Sequence, residues 1–174
     1  MSRELLILRH AKSAWASEAP TDFERPLAKR GFRDAPRMGA WLRGQQLIPD
    51  HIVSSPAVRA KQTAAGVLEG LGMAASSTIH WQPRIYEASL GALLAILEAC
   101  PVAAARVLII GHNPGLEYLL AYLADKIPNP DDGKLLPTAT LAHLAMPDQW
   151  ENLQAGCASL AAITRPRSLP DKDD

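Results

Sequence analysis

Arg9 and His10 stand side by side directly after the apolar run Leu5 to Leu8. The same arrangement recurs twice. Ile52-Val53 leads through Ser54-Ser55-Pro56 to Arg59, and Val107 to Ile110 leads into Gly111-His112-Asn113-Pro114-Gly115. Two arginines and two histidines placed just beyond three apolar runs can form an anion pocket that needs no metal. Arginine suits that task because its planar fork meets phosphate oxygens two at a time and stays charged at any working pH. Each signal is weak alone, since an Arg-His pair is commonly a surface feature and an arginine in a first helical turn is commonly just solvated. Their shared position is what joins them.

For these residues to meet, the apolar runs must be strands of one sheet, because open α/β sheets bind ligands beyond the carboxyl ends of their strands. A short, continuous apolar run between polar residues is what a strand buried on both faces requires. Between the runs, apolar spacing predicts helices over Ala35 to Gln46, with Met38, Trp41 and Leu42 on one face, and over Ala57 to Leu71. Leu90 to Leu97 and Leu116 to Leu123 carry the same period. Pro36 would cost about 3 kcal/mol inside a helix, which places a start or a kink at Ala35-Pro36. Ser55 and Pro56 open the helix that carries Arg59, so free backbone N–H groups and the helix dipole add to the attraction for phosphate. Pro114, in the first turn after Asn113, gives the third run a similar helix start. Further strands are expected over Ile79 to Tyr86, Thr140 to Met146 and Ser159 to Thr164, including an edge. Alternating strands and helices of these lengths predict a three-layer α/β/α sandwich with a mostly parallel sheet. Loops are expected over Ala16 to Pro26 and over the Pro-, Asp- and Gly-rich Ile127 to Pro137.

The chain has 174 residues and is 48% hydrophobic, which suits one domain over residues 1–165 and a fraying polar tail over 166–174. Eighteen basic residues balance eighteen acidic ones, so no overall field draws the molecule to nucleic acid. The four tryptophans lack a basic stripe and are read as packing residues. The apolar run near residue 5 is too short for a signal peptide or a membrane span, which points to a cytoplasmic protein. Cys100 and Cys157 are read as two buried free thiols, and His51, His80 and His143 as surface or packing residues. No spacing of ligands suggests a metal site, and no cofactor is expected.

LILRHAKS resembles the signature block of the histidine phosphatase superfamily, and SSPAVRAKQTA, IYEAS and IIGHNPG resemble its later blocks in the same order. RHAKS, GHNPG and the closing TRPRSL are similar to its SixA-like phosphohistidine phosphatase branch, and the resemblance spans nearly the whole chain. It implies a phosphoglycerate mutase-like fold, with His10 as the nucleophile. Arg9, Arg59 and His112 would surround the transferred phosphoryl group, and Glu87 of IYEAS would be the general acid. Ala11-Lys12 stands where the wider family has the glycine of its signature. Ala28 replaces a frequent capping threonine, at about 1 kcal/mol of helix stability.

With a pKa near 6.5 a histidine is partly neutral at pH 7, and a hydrogen bond from one ring nitrogen to a carbonyl would aim the other at phosphorus. The arginines and a protonated His112 would then stabilise the charge on the equatorial oxygens, and water would complete the second step. The resemblance implies phosphohistidine on a protein domain as substrate, and the short chain leaves little for a lid, which suits a protein side chain. A phosphatase of small phosphorylated metabolites and a silent phosphate-binding module remain the alternatives.

Overall fold

The computed structural model describes residues 2–170. Its centre is a six-stranded sheet of order β3-β2-β4-β1-β5-β6. The strands are β1 (Arg3–Arg9), β2 (His51–Ser54), β3 (His80–Trp81), β4 (Arg106–Gly111), β5 (Leu141–Met146) and β6 (Ser159–Thr164). The first four run parallel, and β5 and β6 close one side antiparallel. The helices are α1 (Lys29–Gly44), α2 (Val58–Leu71), α3 (Leu90–Glu98) and α4 (Gly115–Leu123).

Because strand side chains alternate between faces, each apolar run feeds two cores. Leu6, Leu8, Leu108 and Ile110 pack with Met38 and Leu42 of α1 and with Val67 and Leu68 of α2. Leu5, Ile7, Val107 and Ile109 pack on the other face, with Leu93 and Leu97 of α3 and Leu116 and Leu120 of α4. This is the α/β/α sandwich the alternation predicts. It also explains why the central strands carry apolar residues without interruption: neither face meets water.

Three expectations shift. Helix α1 begins at Lys29 rather than near Pro36, and the proline lies within it. The proline stands at the α1–α2 crossing, which is close. A methyl on Gly70 would stand 2.0 Å from the Pro36 carbonyl oxygen, and one on Gly39 would stand 2.2 Å from that of Val67. Ala28 is indeed its N-cap and supplies no side-chain hydrogen bond. The strand expected over Ile79 to Tyr86 shrinks to His80–Trp81, since Pro83 has no N–H for a ladder and opens a 3-10 turn, Pro83–Ile85. The segment after β6 does not fray at once: Leu169 is buried against the α1 side, and Arg37 donates to its carbonyl at 3.2 Å. One apolar side chain suffices to dock this otherwise polar stretch. The rest of the expected tail, residues 171–174, lies outside the described residues. No described helix is long and apolar enough to cross a membrane.

Candidate active site

The ends of β1, β2 and β4 lie at one edge because the three strands are parallel and in register, with Arg9 opposite Gly111 and Ser54 opposite Ile110. His10 follows β1 and is 6% exposed. Its backbone N–H donates to the Gly111 carbonyl at 3.0 Å, extending the ladder one residue beyond the strand. Its Nδ1 lies 2.8 Å from the Ala11 carbonyl oxygen. A carbonyl can only accept, so Nδ1 carries the proton and the lone pair is on Nε2.

His112, at the end of β4, places its ring 5.2 Å from that of His10, and its Nε2 is 2.8 Å from the Ser55 hydroxyl. Arg59 lies in the first turn of α2 and is buried. Ser55 supports that turn by accepting from the Ala57 N–H at 3.2 Å. Arg9 donates to the Leu136 carbonyl at 3.0 Å. Thr63, one turn beyond Arg59, donates to the Arg59 carbonyl at 2.7 Å and accepts from the Ala11 N–H at 3.0 Å. That hydroxyl ties the helix of Arg59 to the chain just after His10.

Several polar atoms here have no hydrogen-bond partner among the described residues: Nε of Arg9 and Arg59, Nδ1 of His112, Oδ1 of Asn113 and Oγ1 of Thr140. An unmet buried polar group costs about 1–3 kcal/mol. Of these, the Nε–H groups of Arg9 and Arg59 are donors that stand ready for an anion at one end of the sheet.

Burial, together with the positive charges around it, pushes the His10 pKa down to about 3. The same causes, burial first and then Arg59, bring His112 to about 4. Both imidazoles are therefore neutral at pH 7. For His10 this is the state of a nucleophile. For His112 it corrects the expectation of a protonated ring: in the free protein the His112 imidazole is neutral.

Asp22, in the loop before α1, was not among the expected site residues. Its carboxylate accepts from Arg59 at 3.0 Å and from the Tyr86 hydroxyl at 2.7 Å. Tyr86, Arg25 and Arg59 hold this carboxyl well below the usual range, so it stays ionised. The backbone fixes its position, with Val58 N–H donating to the Phe23 carbonyl at 3.0 Å. Tyr86 in turn places its ring 5.4 Å from His112, edge-on. The sequence holds one faint signal for Asp22, an acid in a loop that must cross the carboxyl edge of the sheet.

Glu87 lines a cleft of about 380 Å³ together with Asp22, Arg59, Tyr86, His112 and Asn113. It is exposed, sits at φ 53°, and makes no hydrogen bond or ion pair among the described residues. The structure thus gathers His10, Arg9, Arg59 and His112, and leaves Glu87 at the rim. Among the described residues no group of three or more His, Cys, Asp or Glu side chains could hold a metal ion.

A neutral imidazole beneath two arginines, on this sheet, is the setting of a phosphohydrolase. The chain belongs to the histidine phosphatase superfamily, branch 1, whose family model matches residues 5–99. Its fold is the phosphoglycerate mutase-like one. Among relatives, it is 32% identical over 165 residues to an uncharacterised protein of Mycobacterium tuberculosis, covering 92% of this chain and all of that one. It is 32% identical over 122 residues to the phosphohistidine phosphatase SixA of Escherichia coli, covering 69% of this chain and 73% of that one. The solved structure of the protein histidine phosphatase SixA complexed with tungstate aligns with TM-score 0.78 at 26% identity, covering 94% of this chain and 97% of that one.

Proposed function

We propose that the protein removes phosphate from phosphohistidine on a protein, through a phosphohistidine intermediate on His10. The observation that carries this reading is the pairing of a neutral His10, its Nδ1 tied to the Ala11 carbonyl, with unpartnered buried nitrogens on Arg9, Arg59 and His112. Nε2 of His10 attacks phosphorus while the P–N bond to the substrate imidazole breaks, and the leaving nitrogen takes a proton from solvent. Arg9, Arg59 and His112 stabilise the charge on the three equatorial oxygens, which is the main contribution a protein makes to phosphoryl transfer. Water then attacks the phosphoryl group on His10, releasing phosphate and restoring the neutral ring.

The substrate class rests on two supports. SixA relatives bear the name of phosphohistidine phosphatases. A phosphoramidate nitrogen is also an easier leaving group than an alkoxide, which fits a general acid candidate, Glu87, that no neighbour positions. The test is covalent capture. His10→Ala should fold and lose more than nine-tenths of turnover, and quenched wild type should carry phosphate labile in acid and stable in base. A His10→Ala protein that keeps a tenth of its activity would remove His10 from the role.

A further inference from the structure

Beside the site, and separate from its cleft, runs a groove of about 320 Å³ that the phosphatase reaction does not use. Three segments wall it: the start of α1, the loop after α4, and the TRPR stretch after β6. Five cationic side chains line it, Arg30, Arg33, Lys134, Arg165 and Arg167, against two carboxylates, Asp34 and Asp132. In a chain whose charges balance overall, this is a local positive surplus.

Both carboxylates are already engaged. Asp132 pairs with Arg165 at 2.6 Å and faces Arg167 at 3.8 Å. Asp34, 4% exposed, pairs with Arg33 at 3.0 Å and with Arg37 at 3.3 Å. Arg30 and Lys134 have no ion pair among the described residues, and Arg167 is 74% exposed. Among the described residues Arg30 and Lys134 thus carry charge that no carboxylate offsets, and Arg167 shares Asp132 with Arg165.

The groove is fastened directly to the catalytic edge. Pro137 and Thr138 line it, while the residues on either side of them hold the site. The Leu136 carbonyl accepts from Arg9, and the Ala139 N–H donates to the carbonyls of Arg9 and His10. On the other wall, α1 touches the chain at Lys12, where a methyl on Gly31 would meet the Lys12 carbonyl at 2.3 Å.

We propose that this groove docks an acidic segment of the phosphoprotein substrate, beside the phosphohistidine that enters the cleft. The inference rests on the phosphohistidine reading above. A protein surface is favoured over nucleic acid because carboxylates are interspersed among the cations and no aromatic side chain offers a stacking face in the groove. Charge of this kind raises the encounter rate and sets orientation, and salt weakens it.

The test uses three peptides of equal length with a central phosphohistidine and glutamate, alanine or lysine flanks. The wild type should hydrolyse the glutamate peptide with kcat/KM at least tenfold above the lysine peptide at low salt, converging at high salt. Arg30→Glu with Lys134→Glu should erase or invert that preference, and leave p-nitrophenyl phosphate hydrolysis within twofold. Equal rates on all three peptides, or a parallel loss on p-nitrophenyl phosphate, would overturn the proposal. If no phosphohistidine peptide is cleaved while p-nitrophenyl phosphate is, the substrate reading fails, and the groove is then read by fluorescence anisotropy with unphosphorylated peptides. Salt-sensitive binding of the glutamate peptide, lost in the double variant, upholds an acidic dock; its absence overturns one. A KM advantage for small bisphosphates that the double variant loses would assign the groove to a second phosphate and overturn the protein partner.

Discussion

Arg9, His10, Arg59 and His112 could be found in the sequence because each follows a buried run, and parallel strands in register bring such positions together. Their neutral imidazoles have a consequence for stability. In the unfolded chain a histidine titrates near 6.5, whereas in the folded protein His10 and His112 titrate near 3 and 4. Between those values the unfolded state binds more protons, so the stabilisation is fully present above pH 6.5 and lost as pH falls towards 4 and 3. Each buried ring contributes up to about 1.4 kcal/mol per pH unit in that window. Urea unfolding between pH 4.5 and 6.5 should show the slope, and His112→Gln should reduce it. An unchanged slope would mean that His112 is not held neutral. Glu87 belongs to the same scale. Glu87→Gln should cost little with a phosphohistidine peptide, and on the order of 10² to 10⁴ in rate with an unactivated alkyl phosphate, if it protonates the leaving oxygen. Measuring both substrates on both proteins separates a rim residue from a general acid. Asp22 was barely legible, because its place depends on a loop path fixed by tertiary contacts with α2 and Tyr86, which leave no periodic trace.

The crossing of α1 and α2 is made by glycines, and it is where an element-scale change should be felt. Gly70→Ala drives a methyl into the Pro36 carbonyl, with an expected loss of about 1–3 kcal/mol, read as a lower urea midpoint. Arg59 lies eleven residues away at the other end of α2, roughly 16 Å along the axis, so activity per folded molecule should stay within twofold. The central strands were legible because burial on both faces forces uninterrupted apolar runs. Helix starts were less so. Helix α1 opens at an alanine cap without a side-chain hydrogen bond and with no acid in its first turn, so the sequence carries no start signal there. Its proline then reads as a boundary, although it lies inside the helix, packed against Gly66 and Gly70. Strand β3 was overread because its apolar and aromatic residues belong to a two-residue pairing and a turn.

Taken whole, the molecule gathers two arginines and two imidazoles, Arg9, Arg59, His10 and His112, at the carboxyl edge of its sheet. Prolonged dialysis against EDTA should leave turnover unchanged, and a loss restored by magnesium or manganese would replace this chemistry with a metal-assisted one. The sheet order adds a constraint of another kind. Strand β1, which delivers His10, is central: it pairs Leu6 with Leu108 on one side and with His143 on the other. A ribosome makes that strand well before its partners, since both neighbours that hold it lie a hundred or more residues downstream. Until β5 has emerged, Leu5 to Leu8 form a sticky edge in search of partners, and long-range pairing of this sort is slow to close. Nascent chains stopped before residue 141 should therefore lack phosphatase activity and draw on chaperones, even though Arg9, His10, Arg59 and His112 have all been synthesised by then.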